Sequence, residues 1–359
     1  MARWILILML VLMAVTIRAQ APDCSQRLLQ ANDEFTAGRF YGIPGLLAEC
    51  LENLSSEEKV RAYHLLAQTY LIIDDPVAAE DSYLRLLGAD PEYVATLEKD
   101  PVDIVYLSSK FTAEPVFTPH FRAGGTYSFK RIIHEINSSP VEVPRDRNVS
   151  LGFLAGGGID WNYNEKLSLC IEGNYAFRSY SYIERNINTR DERSEIERQS
   201  WVDIPVYIKY KDTKGRIRPF GYAGASLNLL FSSSVELNFI NKTNNEGEVP
   251  TVGPNENITY KRNLINRSIV FGGGIYYKVG KNFLFADARY SLGLSNVVNL
   301  EKNYYDESSQ VLSPLVTRYG WIGNAHRQDF ISISVGYVRP IYNPRKLKRS
   351  RTKKLKTDE

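Results

Sequence analysis

The chain is poor in the residues that carry most catalytic and metal chemistry. It holds three cysteines and four histidines in 359 residues. Cys24, Cys50 and Cys170 form no Cys-x-x-Cys pair, so dithiol redox chemistry has no support. His64, His120, His134 and His326 are scattered, and no Cys/His cluster has metal-ligand spacing, so neither metal nor cofactor is expected. The glycine runs Gly156–Gly158 and Gly272–Gly274 sit inside strand-like segments rather than between a strand and a helix, which excludes phosphate loops. An excess of one charge is also missing: 44 Lys and Arg face 41 Asp and Glu. That balance excludes nucleic acid as a partner of the whole chain. Past residue 17 no apolar run is long enough for a membrane-spanning helix, and mean hydropathy is −0.29.

What is present begins with an export signal. Arg3 precedes the apolar stretch Ile5–Ile17, and small residues follow, the pattern of a secretory signal peptide over residues 1–19, with Ala21 as a second possible cleavage point. Residues 20–100 carry helical periodicity. Helices are expected at Cys24–Ala37, Ile43–Leu54, Ser56–Ile73 and from Pro76 to about Leu87, punctuated by Gly38, a serine cap at Ser55 and Asp74-Asp75-Pro76. The stretch AYHLLAQTYLIIDDPVAAEDSYLRLLGADP resembles a tetratricopeptide repeat, and Asn32–Leu51 resembles one more loosely. Such a helical-hairpin domain suits protein binding; a plain spacer is the alternative. Antiparallel helices bring Cys24 and Cys50 together. In an oxidising compartment a disulfide is expected, with two free buried thiols as the other possibility. Residues 101–116 form a linker.

From residue 117 the periodicity changes to two. In FLFADARYSLGLSN (Phe283–Asn296), Leu284, Ala286, Ala288, Tyr290, Leu292 and Leu294 share one face. Asp287, Arg289, Ser291, Gly293 and Ser295 share the other, with Phe283 and Phe285 at its start. Seven further segments alternate in the same way: about His120–Phe129, Val149–Trp161, Leu167–Tyr180, Trp201–Tyr210, Arg218–Phe231, Ser268–Lys278 and Phe330–Tyr337. Short connections (162–166, 211–216, 279–282) alternate with long polar ones (Lys130–Asn148, Ile183–Gln199, Glu236–Arg267, Val297–Gln328). That asymmetry predicts an all-β, antiparallel, eight-stranded transmembrane β-barrel over residues 117–342, with a small α-helical domain before it. One face of these strands is almost free of charge and would meet outer-membrane lipid. The other carries Glu172, Arg178, Asp203, Lys209, Asp287 and Arg289, expected to form a paired interior charge network because isolated buried charges are costly. A soluble lipocalin-like barrel would invert these faces. An even strand number puts both termini on the short-turn, periplasmic side. Residues 343–359 follow as a basic tail (Arg345, Lys346, Lys348, Arg349, Arg351, Lys353, Lys354, Lys356), expected to be a disordered interaction arm.

Four segments carry a family likeness. WVDIPVYIKYK (Trp201–Lys211), PFGYAGASLNLLFSS (Pro219–Ser233), FADARYSLGLSNV (Phe285–Val297) and ISISVGYVRP (Ile331–Pro340) resemble strands of the PorT-like outer-membrane barrels of Bacteroidetes, over about Phe117–Tyr342. The resemblance implies an eight-stranded barrel without enzymatic activity, some relatives serving type IX secretion and gliding. The expectation is therefore a non-enzymatic anchor or scaffold that binds periplasmic protein partners through the helical domain and tail. A small ion or solute pore and an adhesion-type barrel are the alternatives. An acyl-transfer site at His326, Asp329 and Ser332 is the remote one.

Overall fold

The computed structural model describes residues 24–134, 145–148, 150–185, 192–241, 249–307, 311–317, 319 and 321–347. The signal segment lies outside them. The chain divides into two compact units, one of residues 1–114 with 342–359 and one of residues 115–341. No helix among the described residues is long and apolar enough to cross a membrane.

The first unit is helical, with helices at Cys24–Thr36, Ile43–Ala48, Ser56–Ile72, Pro76–Ala89 and Val102–Ser108. Local chemistry sets their starts. Ser55 and Glu58 form a reciprocal capping box, the Glu58 carboxylate accepting the Ser55 N–H at 3.0 Å. Asp75 caps the next helix by accepting the Ala78 N–H at 3.0 Å, with Pro76 in its first turn. The second helix stops at Ala48 rather than Leu54. There the Cys50 N–H turns back to the Leu47 carbonyl (2.9 Å) and Asn53 to Cys50 (2.9 Å), a three-residue spacing that ends the helix. Leu28, Ala31, Ile43, Leu47, Leu66, Tyr83, Leu86 and Ile104 fill the core. Cys24 and Cys50 are joined as a disulfide, with Cα atoms 5.3 Å apart. Behind the fourth helix, Asp100 gathers three donors or partners: Tyr93 OH (2.6 Å), the Thr96 N–H (3.0 Å) and His64 Nε2 (2.7 Å).

The start of the basic tail is ordered, contrary to the disordered arm expected from its composition. β1 (Phe111–Thr112) pairs antiparallel with the C-terminal Arg345–Lys346 strand. The Leu347 N–H reaches the Lys110 carbonyl at 2.8 Å, Lys346 Nζ bonds Glu80, and Tyr342 OH donates to Glu92 at 3.3 Å. Backbone pairing takes no account of side-chain charge, so a basic dipeptide can add a strand wherever an edge is free.

The second unit is an antiparallel, barrel-like sheet. Its long strands are β2 (Phe117–His134), β4 (Leu151–Asn162), β5 (Leu167–Arg185), β6 (Glu192–Lys211), β7 (Ile217–Asn241), β9 (Ile265–Val279), β10 (Asn282–Gly293) and β11 (Ala325–Val338). The short β3 (Arg145–Asn148) and β8 (Val249–Asn257) join β5 and β7. Hydrogen-bonded order runs β5-β4-β2-β11-β10-β9-β7-β6, and β6 also pairs with β5. The period-two pattern sorts the faces: Phe121, Leu151, Ile171, Ile208, Ile333 and Val335 are exposed, while Arg122, Glu172, Asp203, Lys209, Asp287 and Ser332 are buried. A lipocalin-like arrangement would bury the first set and expose the second.

Several strands run past their expected ends. Lys130–His134, Ile183–Arg185, Glu192–Gln199, Glu236–Asn241 and Ala325–Gln328 were expected in loops and are paired strand instead, and β3 and β8 fall wholly inside expected loops. These segments lack a continuous apolar face, so the alternation signal fades where the backbone ladder continues. Inner-face glycines open space beside the buried side chains. A Cβ on Gly158 would lie 2.7 Å from Glu172 Cγ, and one on Gly272 2.7 Å from Tyr222 OH.

Candidate functional site

The inner face of the sheet is packed in layers. Nearest the short turns, Phe220, Tyr276, Phe283 and Phe285 cluster, with the Phe220 and Tyr276 rings 4.2 Å apart. Above them lies the first charge network, centred on Glu172. Its carboxylate accepts from Arg289 Nη1 (2.9 Å) and Nη2 (3.0 Å), Arg122 Nη1 (3.2 Å), Asn174 Nδ2 (2.8 Å) and the Tyr207 hydroxyl, and His120 Nε2 lies 3.2 Å away. Arg122 bridges onward to Asp287 at 2.9 Å, and Asp287 also takes Tyr222 and Ser334 hydroxyls. Lys209 Nζ lies 2.7 and 3.0 Å from the two Asp160 oxygens and 3.1 Å from Tyr276 OH. Arg178 bonds Asp203, which accepts from Asn228 as well, and stacks its guanidinium 3.9 Å from the Phe330 ring centre.

Of the six interior charges expected, the structure pairs Glu172 with Arg289 and Arg178 with Asp203. Asp287 and Lys209 take partners the sequence reading did not single out, Arg122 and Asp160. Both partners lie on the inward parity of their strands, so the alternation that flagged the six also contained them. His120, at the start of β2, completes the group.

A second network lies toward the long connections and had no counterpart in the sequence reading. Glu197 is fully buried and accepts from Lys130 Nζ (2.7 Å), Arg262 Nε (2.8 Å), Gln199 Nε2 (2.7 Å) and Ser233 Oγ (3.0 Å). Glu195 takes Lys130 at 3.2 Å and the Trp321 indole N–H at 2.8 Å. Lys130, Glu197, Arg262 and Trp321 come one from each of the four expected loops. Lys130 and Glu197 stand on β2 and β6, and residues of the last two connections pack with β7 in a core of Val235, Leu237, Ile258, Leu315 and Trp321. In the connection that supplies Ile258, Lys261 is buried and donates to the Asn303 and Tyr305 carbonyls at 2.9 Å each, with no carboxylate among the described residues bonded to it. Burial, helped by the neighbouring Arg262, lowers its pKa to about 8.

The acyl-transfer arrangement does not form. His326 is buried and its Nδ1 faces the Asn324 carbonyl at 2.8 Å. Ser332 points inward. Asp329 has the opposite parity, with Arg131 Nε at 3.2 Å and the Gly293 N–H at 2.8 Å. Strand alternation puts His326 and Asp329 on different faces, so no proton relay joins them. Three residues that sequence spacing did not connect do converge: His120, Asp160 and Cys170 lie on β2, β4 and β5, all buried, with one ligand atom from each within 4.8 Å of the others. In the tail, Arg345 and Lys346 belong to the strand paired with β1. Lys348, Arg349, Arg351, Lys353, Lys354 and Lys356 lie outside the described residues.

Several solved outer-membrane proteins are similar to this chain. Neisserial surface protein A is 14% identical over 63% of this chain and 97% of its own (TM-score 0.28). OprG from Pseudomonas aeruginosa is 9% identical over 66% and 99% (TM-score 0.36), and Ail, the attachment invasion locus protein of Yersinia pestis, is 8% identical over 63% and 99% (TM-score 0.25). No curated protein matches. Residues 117–299, more than half of the 359, match the family described as the outer membrane protein beta-barrel domain, and the chain belongs to that family.

Proposed function

We propose that the protein is a non-enzymatic outer-membrane anchor that presents its helical unit and tail to periplasmic protein partners. In this reading the eight long strands close into a transmembrane barrel with both termini periplasmic. The PorT-like strand segments point to a Bacteroidetes protein working in a secretion, gliding or outer-membrane assembly complex. One observation carries the reading: the inner face holds an aromatic layer and two cross-bonded charge networks. An eight-stranded barrel has an interior just wide enough for side chains to fill, so this packing favours an anchor over a conduit. The helical unit supports the rest, because a repeat-like helical surface is a common protein-binding device.

The test is affinity capture of the full-length protein from outer membranes, against a variant lacking Cys24–Lys99, with planar-bilayer conductance measured in parallel. Capture of specific periplasmic proteins by the full chain alone, without conductance, is the expected result. Steady conductance with no protein captured overturns the anchor in favour of a pore.

A further inference from the structure

His120, Asp160 and Cys170 bring three different donor types together inside the charge network. Asp160 and Cys170 face each other directly across β4 and β5. His120 lies opposite Gly158, whose missing Cβ leaves room for the imidazole: a Cβ there would come within 3.0 Å of His120 Cε1. The ring is held by its far nitrogen, with Nε2 3.2 Å from the Glu172 carboxylate. Nδ1, on the other side of the ring, lies 3.7 Å from Asp160 Oδ1. Nδ1 has no hydrogen-bond partner although His120 is only 3% exposed. A buried ring nitrogen and a carboxylate oxygen at this separation call for a cation between them, either a proton on Nδ1 or a metal ion.

We propose that His120 Nδ1, the Asp160 carboxylate and Cys170 Sγ bind a divalent transition metal of the zinc class. One nitrogen, one oxygen and one sulfur are the donor types such ions take, and Glu172 stands as the carboxylate that orients the ligating histidine from behind. The donor atoms, within 4.8 Å of one another, need to close to the ~3.3–3.8 Å edges of a tetrahedron with bonds of about 2.0–2.3 Å. Small side-chain rotations supply that movement. Binding exchanges the Cys170 thiol proton for the metal and releases it to solvent. Lys209 is the built-in competitor, because its ammonium holds both Asp160 oxygens. Displaced by the metal, it retains Tyr276 OH at 3.1 Å and the rings of Tyr207 and Phe220 at 5.7 Å.

The experiment uses full-length protein folded in detergent, stripped with chelator and titrated with Co²⁺ and with Zn²⁺, folding being monitored by heat-modifiable gel mobility. The expected result is one equivalent bound per chain and a thiolate-to-cobalt charge-transfer band. Cys170→Ser, which keeps the size but not the soft donor, abolishes the band and weakens Zn²⁺ binding by roughly tenfold or more. Lys209→Met tightens it. A folded wild type that binds no metal, or a band that survives both Cys170→Ser and His120→Gln in folded protein, overturns the site. So does a Lys209→Met variant that binds more weakly than wild type while folded.

Discussion

Arg289 and Glu172 form a two-pronged pair across the interior, Nη1 to Oε2 at 2.9 Å and Nη2 to Oε1 at 3.0 Å, from strands that are not sheet neighbours. The same carboxylate serves Arg122 and faces His120, so Glu172 balances more positive charge than any other residue of its layer. Removing it leaves buried cations uncompensated. Glu172→Ala is expected to lower unfolding free energy by about 3–5 kcal/mol. Combining Glu172→Leu with Arg289→Met, which removes that pair as a unit and leaves Arg122 on Asp287, is expected to recover most of that loss. Urea titration of heat-modifiable mobility measures both, and a Glu172→Ala variant as stable as wild type refutes the network's role.

Opening the Cys24–Cys50 bond is expected to loosen the helical unit by roughly 3 kcal/mol, the loop-closure value for a separation of 26 residues. Limited proteolysis of the full chain with and without reductant reads this out. Cleavage within residues 24–110 should accelerate under reduction, while the heat-modifiable mobility of the barrel unit stays unchanged. A Cys24→Ser, Cys50→Ser variant should behave like the reduced protein in both conditions.

Lys261 gives a pH dependence with a definite sign. Its folded pKa, about 8, lies below the ordinary lysine value of 10.5, because burial disfavours its charged form. The unfolded chain therefore holds the proton more tightly, and this residue costs stability below pH 8. Its cost is relieved as pH rises from about 8 to 10.5, by about 1–2 kcal/mol after allowance for solvent screening. The gain should be absent from Lys261→Met. If wild type and variant keep the same stability difference at pH 7 and pH 10.5, the assignment is wrong.

The Arg345–Lys346 strand makes truncation position-sensitive. Deleting residues 348–359 removes six basic side chains but keeps the pairing with Phe111–Thr112, and the helical unit should resist protease as in wild type. Deleting residues 342–359 removes the strand, the Lys346 to Glu80 bond and the Tyr342 to Glu92 bond as well. That loss should cost about 1–2 kcal/mol of local stability. Equal protease sensitivity of the two truncations would show that the strand does not stabilise the unit.

Alternation along single strands was enough to sort the residues into two faces, and only the structure decided which of them turns inward. Asp287 and Arg289 could be set apart from Leu284 and Ala286 because side-chain direction follows from two successive backbone dihedrals, a local property. The capping box at Ser55 and the Asp75-Pro76 start were legible for the same reason. Which charges meet was decided by the tertiary structure. Asp287 takes Arg122, and Lys209 takes Asp160, because partners are set by strand register and by reach across the sheet interior, which parity leaves open. The second network shows the same limit more sharply. Lys130 and Glu197 stand on polar extensions of β2 and β6, Arg262 and Trp321 in the connections, and only the tertiary structure brings the four together. His120, Asp160 and Cys170 are separated by 40 and 10 residues of sequence and are neighbours only because β2, β4 and β5 lie side by side. The sequence determined a two-faced sheet with one charged surface. The tertiary structure decided how that surface is filled, because the packing of side chains from different strands is a non-local fact that no single strand encodes.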